Sequence, residues 1–193
     1  MRYLLYPLLL SLSSLAMAKT PLANVEDFQT EAQQRIKNFS AELKAALKVA
    51  ISSGGLANGV QVCQQQAPLI AEKWSTDGWQ IGRTSLKVRN SDNSADGWEQ
   101  QRLQDYAIKL ANGSTPAQLH HAEIVQDGDG QLFRYMQPIM LDAQCVACHG
   151  SQLAEPVKQQ IQQYYPNDLA TGFSPGELRG AFSVDKQLSS SER

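Results

Sequence analysis

Apolar residues recur three or four positions apart along the N-terminal part of the chain, between Pro21 and Ser52, with charged residues and glutamines between them. The members of this stripe are Val25, Phe28, Ile36, Phe39, Leu43 and Leu47. The spacing predicts an amphipathic helix. Thr20 is a suitable N-cap with Pro21 in the first turn, and Gly54-Gly55 is a suitable end.

A second apolar stripe follows the glycine pair and predicts a second helix. Its members are Leu56, Val60, Cys63, Ala67, Ile70 and Trp74. Pro68 lies inside this stripe. Because proline lacks the backbone N–H and its ring clashes with the preceding turn, we expect Pro68 to kink or divide the helix.

The pattern then changes to short segments rich in β-formers. The predicted elements are a strand around 79–89, a helix at 98–110, strands at 121–125 and 131–141, a helix at 154–164 and a strand at 177–184. Asp127-Gly128-Asp129-Gly130 separates the two middle strands and is typical of a hairpin turn. This order predicts an α+β domain with an antiparallel sheet and long N-terminal helices.

The first 18 residues, MRYLLYPLLLSLSSLAMA, combine one positive charge, an apolar run and small residues before Ala18. This pattern predicts a secretory signal peptide cleaved after Ala18, and one domain spanning 19–193. The run is shorter than a stable membrane span, and no later stretch approaches the roughly 20 apolar residues that a span needs. We therefore expect an exported, periplasmic protein with no membrane span in the mature chain.

Charge and cysteine content narrow the functions further. The formal net charge is −2, and −3 without Arg2 of the signal peptide, which gives no reason to expect a nucleic-acid partner. Three cysteines are an odd number for an oxidising compartment, so one thiol needs an explanation besides a disulfide.

Two of the cysteines lie in CVACHG, residues 145–150. Cys145, Cys148 and His149 form the Cys-x-x-Cys-His pattern that attaches a c-type haem, with thioether bonds to both cysteines and the histidine on the iron. The sequence therefore predicts one covalent haem c. A redox dithiol would favour a βαβ context, and a zinc site would need further ligands from Cys63, His120 or His121.

The sixth iron ligand must precede the haem motif, because no Met, His or Cys follows His149. The candidates are Cys63, His120, His121, Met136 and Met140. Met or His is the common partner of His in cytochromes c. Each candidate also has a structural interpretation as a core or surface residue, so the residue types alone leave the choice open.

Three basic residues provide a candidate site for the haem propionates. Arg83, Lys87 and Arg89 have the same parity, so on one strand they would share a face and could donate charge-assisted hydrogen bonds. An ordinary solvated face is the alternative.

Four segments carry a resemblance to a known family. They are the helix with Cys63 and Ala67-Pro68, RTSLKVRN followed by Asn93 and DGWE, RYMQPI leading to CVACHG, and YPNDLATGF followed by GELRGAFSV. Over roughly 24–186 the chain resembles a PAS-like c-type haem family formerly catalogued as a domain of unknown function. The resemblance implies a PAS-like sheet, with His149 as proximal ligand and Cys63 as sixth ligand. Two prolines usual in the family's loop are replaced here by Ser91 and Ala95.

These observations predict an exported monohaem cytochrome that acts in low-potential electron transfer or in redox or gas sensing, with an unidentified redox partner protein and a diatomic gas as a candidate ligand. An anionic thiolate on the iron would lower the reduction potential. One alternative is a periplasmic haem enzyme, such as a peroxidase or small-molecule reductase, for which His120 or His121 is the only nominee as a distal acid or base. Another is an interaction module whose partner reads the haem state.

Overall fold

The computed structural model describes residues 24–190 and 192. The predicted signal peptide, Thr20 and Pro21 lie outside these residues, so cleavage after Ala18 stays a prediction. Within the described part of the chain, no helix has both the length and the apolar character needed to cross a membrane.

The N-terminal helix α1 (Val25–Trp74) is a helical hairpin. Its backbone leaves the helical conformation at Gly54 and Gly55, and Gly55 has φ 73°, a region that glycine adopts without steric cost. Lys73 Nζ lies 2.9 Å from the Glu42 carboxylate, although 31 residues of straight helix would separate them by about 46 Å. The N-terminal arm (25–53) and the C-terminal arm (56–74) therefore lie antiparallel, and the predicted division at the glycine pair is confirmed.

Two details of α1 differ from the sequence prediction. The helix begins at Val25, after Asn24, whose side chain accepts a hydrogen bond from the Glu26 N–H. Pro68 does not divide the helix, because the backbone angles stay helical there, so that part of the prediction is wrong, and a kink at Pro68 stays a prediction. Pro68 is exposed, and so is Gln64, whose carbonyl loses its helical partner but can bond to water.

Four antiparallel strands form one sheet in the order β1-β4-β3-β2. The strands are β1 (Trp79–Thr84), β2 (His121–Asp127), β3 (Gly130–Met140) and β4 (Leu178–Gln187). Asp127 pairs with Gly130, which confirms the predicted hairpin between β2 and β3. The remaining helices are α2 (Gly97–Ala111), α3 (Val146–His149) and α4 (Glu155–Tyr164).

Helices cover both faces of the sheet because side chains alternate along each strand. On β3, Phe133 and Tyr135 face the N-terminal arm, whereas Met136 faces α2. The first core contains Phe28, Ala32, Ile36, Phe39, Ile70, Trp79, Ile81, Phe133, Tyr135, Val184 and Leu188. Helix α4 packs separately against Val60 of the C-terminal arm. The predicted α+β class with an antiparallel sheet and long N-terminal helices is confirmed.

One end of the sheet gathers the segments of functional interest. The last residue of β1 pairs with Ala181 and the last residue of β3 pairs with Leu178, so both strands end beside the start of β4. CVACHG follows β3 directly. Between β1 and α2, Asn90 caps a 3-10 turn at Ser91–Asn93, and this loop is held by hydrogen bonds where the family's prolines are absent.

Candidate functional site

CVACHG forms one compact turn. Cys145 ends a 3-10 turn, Ala143–Cys145, and α3 follows at once. The Gly150 N–H donates to the Val146 carbonyl at 2.8 Å, and a Cβ at position 150 would lie only 2.6 Å from that same oxygen. Glycine is therefore required to close the turn, which carries Cys145, Cys148 and His149 within five residues.

The His149 ring has a defined hydrogen-bonding partner. Its Nδ1 lies 2.7 Å from the Ala170 carbonyl oxygen, so Nδ1 carries the proton and donates it. Arg179 Nε lies 3.4 Å from the same nitrogen. Since one protonated nitrogen cannot also accept from an arginine, the shorter contact decides the tautomer. The lone pair of the neutral ring is then on Nε2, the arrangement typical of a metal-binding histidine.

Burial keeps this ring neutral. It lowers the pKa of His149 to about 3, and the positive charges of Arg89 and Arg179 lower it in the same direction. At neutral pH the imidazole is therefore uncharged and available as a ligand.

Arg89 joins CVACHG to the loop after α4. Its guanidinium donates to Asp168 Oδ1 at 3.1 Å and to the Cys148 carbonyl at 2.6 Å, while Asp168 Oδ1 also accepts from the Ala170 N–H at 2.9 Å. The Arg89 and Asp168 side chains are only 11% and 7% exposed. Arg89 thus fixes the carbonyl that accepts from His149.

The prediction that Arg83, Lys87 and Arg89 share one strand face is wrong. β1 ends at Thr84, because the Ser85 hydroxyl bonds to the backbone of Lys87 and of Arg179 and so turns the chain. Arg83 alone lies on the strand, on the side facing α1, with its guanidinium 5.9 Å from the Phe39 ring centroid. Lys87 is exposed, with Nζ 5.2 Å from the Phe173 ring centroid.

Cys63, on the C-terminal arm of α1, lies near CVACHG. Burial raises the pKa of the Cys63 thiol, while the charges of Arg83 and Arg89 oppose that rise and a Cys145 thiolate would add to it. A Cys63 thiolate would likewise raise the pKa of the Cys148 thiol. The sheet end therefore brings together all three cysteines, which are free thiols. In the described part of the chain no three His, Cys, Asp or Glu side chains form a set that could hold one metal ion.

The other candidate ligands take part in different contacts. Met136 is fully buried in the core beneath α2, and His121 Nε2 lies 3.0 Å from the Glu123 carboxylate. His120 is exposed and stacks on Tyr135, with ring centroids 6.2 Å apart. Met140 ends β3 and pairs with Leu178. No hydrogen bond, ion pair or ring contact in residues 24–190 joins either histidine to CVACHG.

The sequence does not predict several residues of the site, among them Ala170, whose carbonyl oxygen accepts from His149. Arg179 contacts His149, and Asp168 contacts Arg89. The Tyr165 ring packs in the cluster that contains Cys148. Burial raises the pKa of Tyr165 to about 12, and Cys63 adds to that rise. The sequence does place charged residues beside glycine turns in PNDLATG and GELRG. That pattern does not identify the groups that the charged side chains contact.

The fold and the site define the class of protein. The chain belongs to the Tll0287-like family, which it matches over residues 12–186. It is similar in structure to the cyanobacterial heme-protein Tll0287, with a TM-score of 0.59 and 26% sequence identity over 86% of this chain and 98% of that one. This likeness supports the predicted PAS-like sheet. No curated protein matches the chain.

Proposed function

We propose that this protein binds one c-type haem through thioether bonds to Cys145 and Cys148, with His149 and Cys63 as the axial ligands of the iron. The observation that carries the proposal is the His149 tautomer. Because Nδ1 donates its proton to the Ala170 carbonyl oxygen, the lone pair of Nε2 is left to bind the iron. Membership of the Tll0287-like family and similarity to a haem protein support it.

The cysteines favour haem attachment over a redox dithiol. A reactive dithiol needs at least one cysteine with a lowered pKa. Here burial raises the pKa of both Cys145 and Cys148, and the Asp142 carboxylate raises that of Cys145 further. Both thiols are therefore poor candidates for disulfide exchange.

Each residue would have a separate role towards the bound group. When bound, the haem supplies a one-electron iron couple. Ala170 orients His149. Cys63 would bind the iron as an anionic thiolate, because coordination removes the proton that burial otherwise keeps on the thiol, and a thiolate would favour ferric iron. Arg83 makes no hydrogen bond or ion pair within residues 24–190, and a Cys63 thiolate would raise the pKa of its guanidinium. The charge of Arg83 is therefore available to a thiolate or a propionate.

We infer a function in low-potential electron transfer or redox sensing in the periplasm, with a separate protein as redox partner. The thiolate ligand supports the low potential. Cys63 lies on a helical hairpin whose arms are held by Glu42, Lys73 and Trp74, so a change in the contacts of Cys63 would reach α1 first. A diatomic gas is a candidate second ligand for the haem that these residues would hold.

The first experiment tests attachment and export together. Exported protein should carry one haem that survives denaturation, gives a c-type pyridine haemochrome and adds one haem to the intact mass of a chain beginning at residue 19. Cys145→Ser and Cys148→Ser should each lose one thioether bond, whereas Cys63→Ser should keep both. Wild-type protein that releases its haem on denaturation would contradict the proposal.

The second experiment tests the sixth ligand. Cys63→Ala should alter the ferric absorption and EPR spectra and raise the midpoint potential by the order of 0.1 V, well inside the roughly 0.8 V range set by axial ligands. Met140→Leu is the matched control and should leave both unchanged. Spectra indifferent to Cys63 but altered by Met140→Leu would assign the ligand to methionine.

A further inference from the structure

Arg179 is an arginine at the start of β4 that is fixed from several sides. Its Nη1 donates to the Ser85 hydroxyl at 2.9 Å and to the Lys87 carbonyl at 3.0 Å. The guanidinium carbon lies 5.3 Å from the Phe173 ring centroid, and the Phe173 N–H donates to the His149 carbonyl at 3.0 Å. These contacts leave Nε directed at the His149 ring, 3.4 Å from Nδ1.

Among the described residues, no carboxylate forms an ion pair with Arg179, although the charge of Asp168 acts on it from a distance. Its hydrogen bonds in the described part of the chain go to a hydroxyl and a carbonyl, whereas the neighbouring Arg89 is paired with Asp168. Burial lowers the pKa of Arg179 to about 10, with contributions from Arg89 and Arg83, so it remains a cation at neutral pH. A positive charge therefore lies beside the imidazole that Ala170 orients.

We propose that Arg179 is a positioning residue whose fixed positive charge beside the His149 ring raises the reduction potential of the iron that His149 would ligate. The inference rests on the proposed function, because it takes His149 as an iron ligand. A nearby cation disfavours the ferric state, which carries one more positive charge than the ferrous state. Arg179 would thus offset part of the effect of the Cys63 thiolate.

The test compares midpoint potentials of the haem-loaded protein by spectroelectrochemistry. Arg179→Gln, which removes the charge, should have a lower midpoint potential than wild type, and Arg179→Lys, which keeps it, should recover most of the difference. Arg102→Gln is the control, since it also removes a partly buried cation, at a place where the partners are His121 and Asp105. It should leave the potential unchanged.

The outcomes separate this inference from the proposed function. Wild-type protein without covalent haem or without His149 ligation would overturn both. Normal ligation spectra with equal potentials in wild type and Arg179→Gln would overturn only the role of Arg179. If Arg179→Gln does not fold, Ser85→Ala, which keeps the arginine but removes one bond that aims it, should lower the potential by a smaller amount, and an unchanged or higher potential would overturn the inference.

Discussion

Replacing Asp168 by asparagine is expected to lower the free energy of unfolding by about 3–5 kcal/mol, the usual cost of leaving one member of a buried ion pair alone. Asp168 and Arg89 are almost completely buried, at 7% and 11% exposure of their side chains. The amide would present an N–H to the Arg89 guanidinium in place of an acceptor. Unfolding in urea, followed by circular dichroism, measures the loss.

Asp142→Asn is the matched control. Asp142 also lies beside CVACHG, but its partner Lys44 is 3.7 Å away and both side chains are more than half exposed. Exposed pairs contribute about 0–1 kcal/mol, so this variant should stay close to wild type. Equal stability of the Asp168→Asn and Asp142→Asn variants would mean that the Arg89 pair does not hold the loop.

The elements of this fold follow from periodicity, because each has a side buried against a core. The apolar stripe of α1, the glycine pair and the Asp127–Gly130 turn all predict their elements correctly. Pro68 is different, since its effect depends on whether the freed carbonyl can reach water. That depends on tertiary exposure, which periodicity does not contain.

The site is less predictable than the fold. CVACHG predicts its own chemistry, since the two cysteines and the histidine that attachment of a c-type haem requires lie within five positions. Parity predicts that Arg83, Lys87 and Arg89 share one face, but parity holds only while the strand continues, and the Ser85 hydroxyl ends the strand. The hydrogen bonds of one side chain, Ser85, therefore separate three residues that the alternation groups together.

The residues around His149 could not be found from the sequence because they meet across long separations. Ala170 and Arg179 contact His149 from positions 21 and 30 residues further along the chain. Their meeting depends on the ends of β1 and β3 lying beside the start of β4. The close approach of β1 and β4 at this end of the sheet is thus a condition for the site, and it can be tested at one glycine.

Gly180→Ala is expected to destabilise the protein by about 1–3 kcal/mol, the typical cost of forcing extra atoms into a packed interior. A methyl group at Gly180 would collide with the Thr84 carbonyl oxygen and lie 3.1 Å from the Ser85 Cβ. The carbonyl belongs to the backbone of β1, which pairs with β4 at Thr84 and Ala181, so relief requires the strands to separate. Urea unfolding measures the change.

Separation of β1 and β4 in Gly180→Ala should also change the surroundings of His149. Gly180 directly follows Arg179, and separation of the strands would draw Arg179 away from Ser85 and His149, so the midpoint potential should fall as in Arg179→Gln. Gly82→Ala, in the same strand pair, is the control, because nothing lies within 4 Å of a Cβ built there. It should change stability by no more than about 0.5 kcal/mol. Equal losses at Gly82 and Gly180 would mean that the close approach of β1 and β4 does not constrain the site.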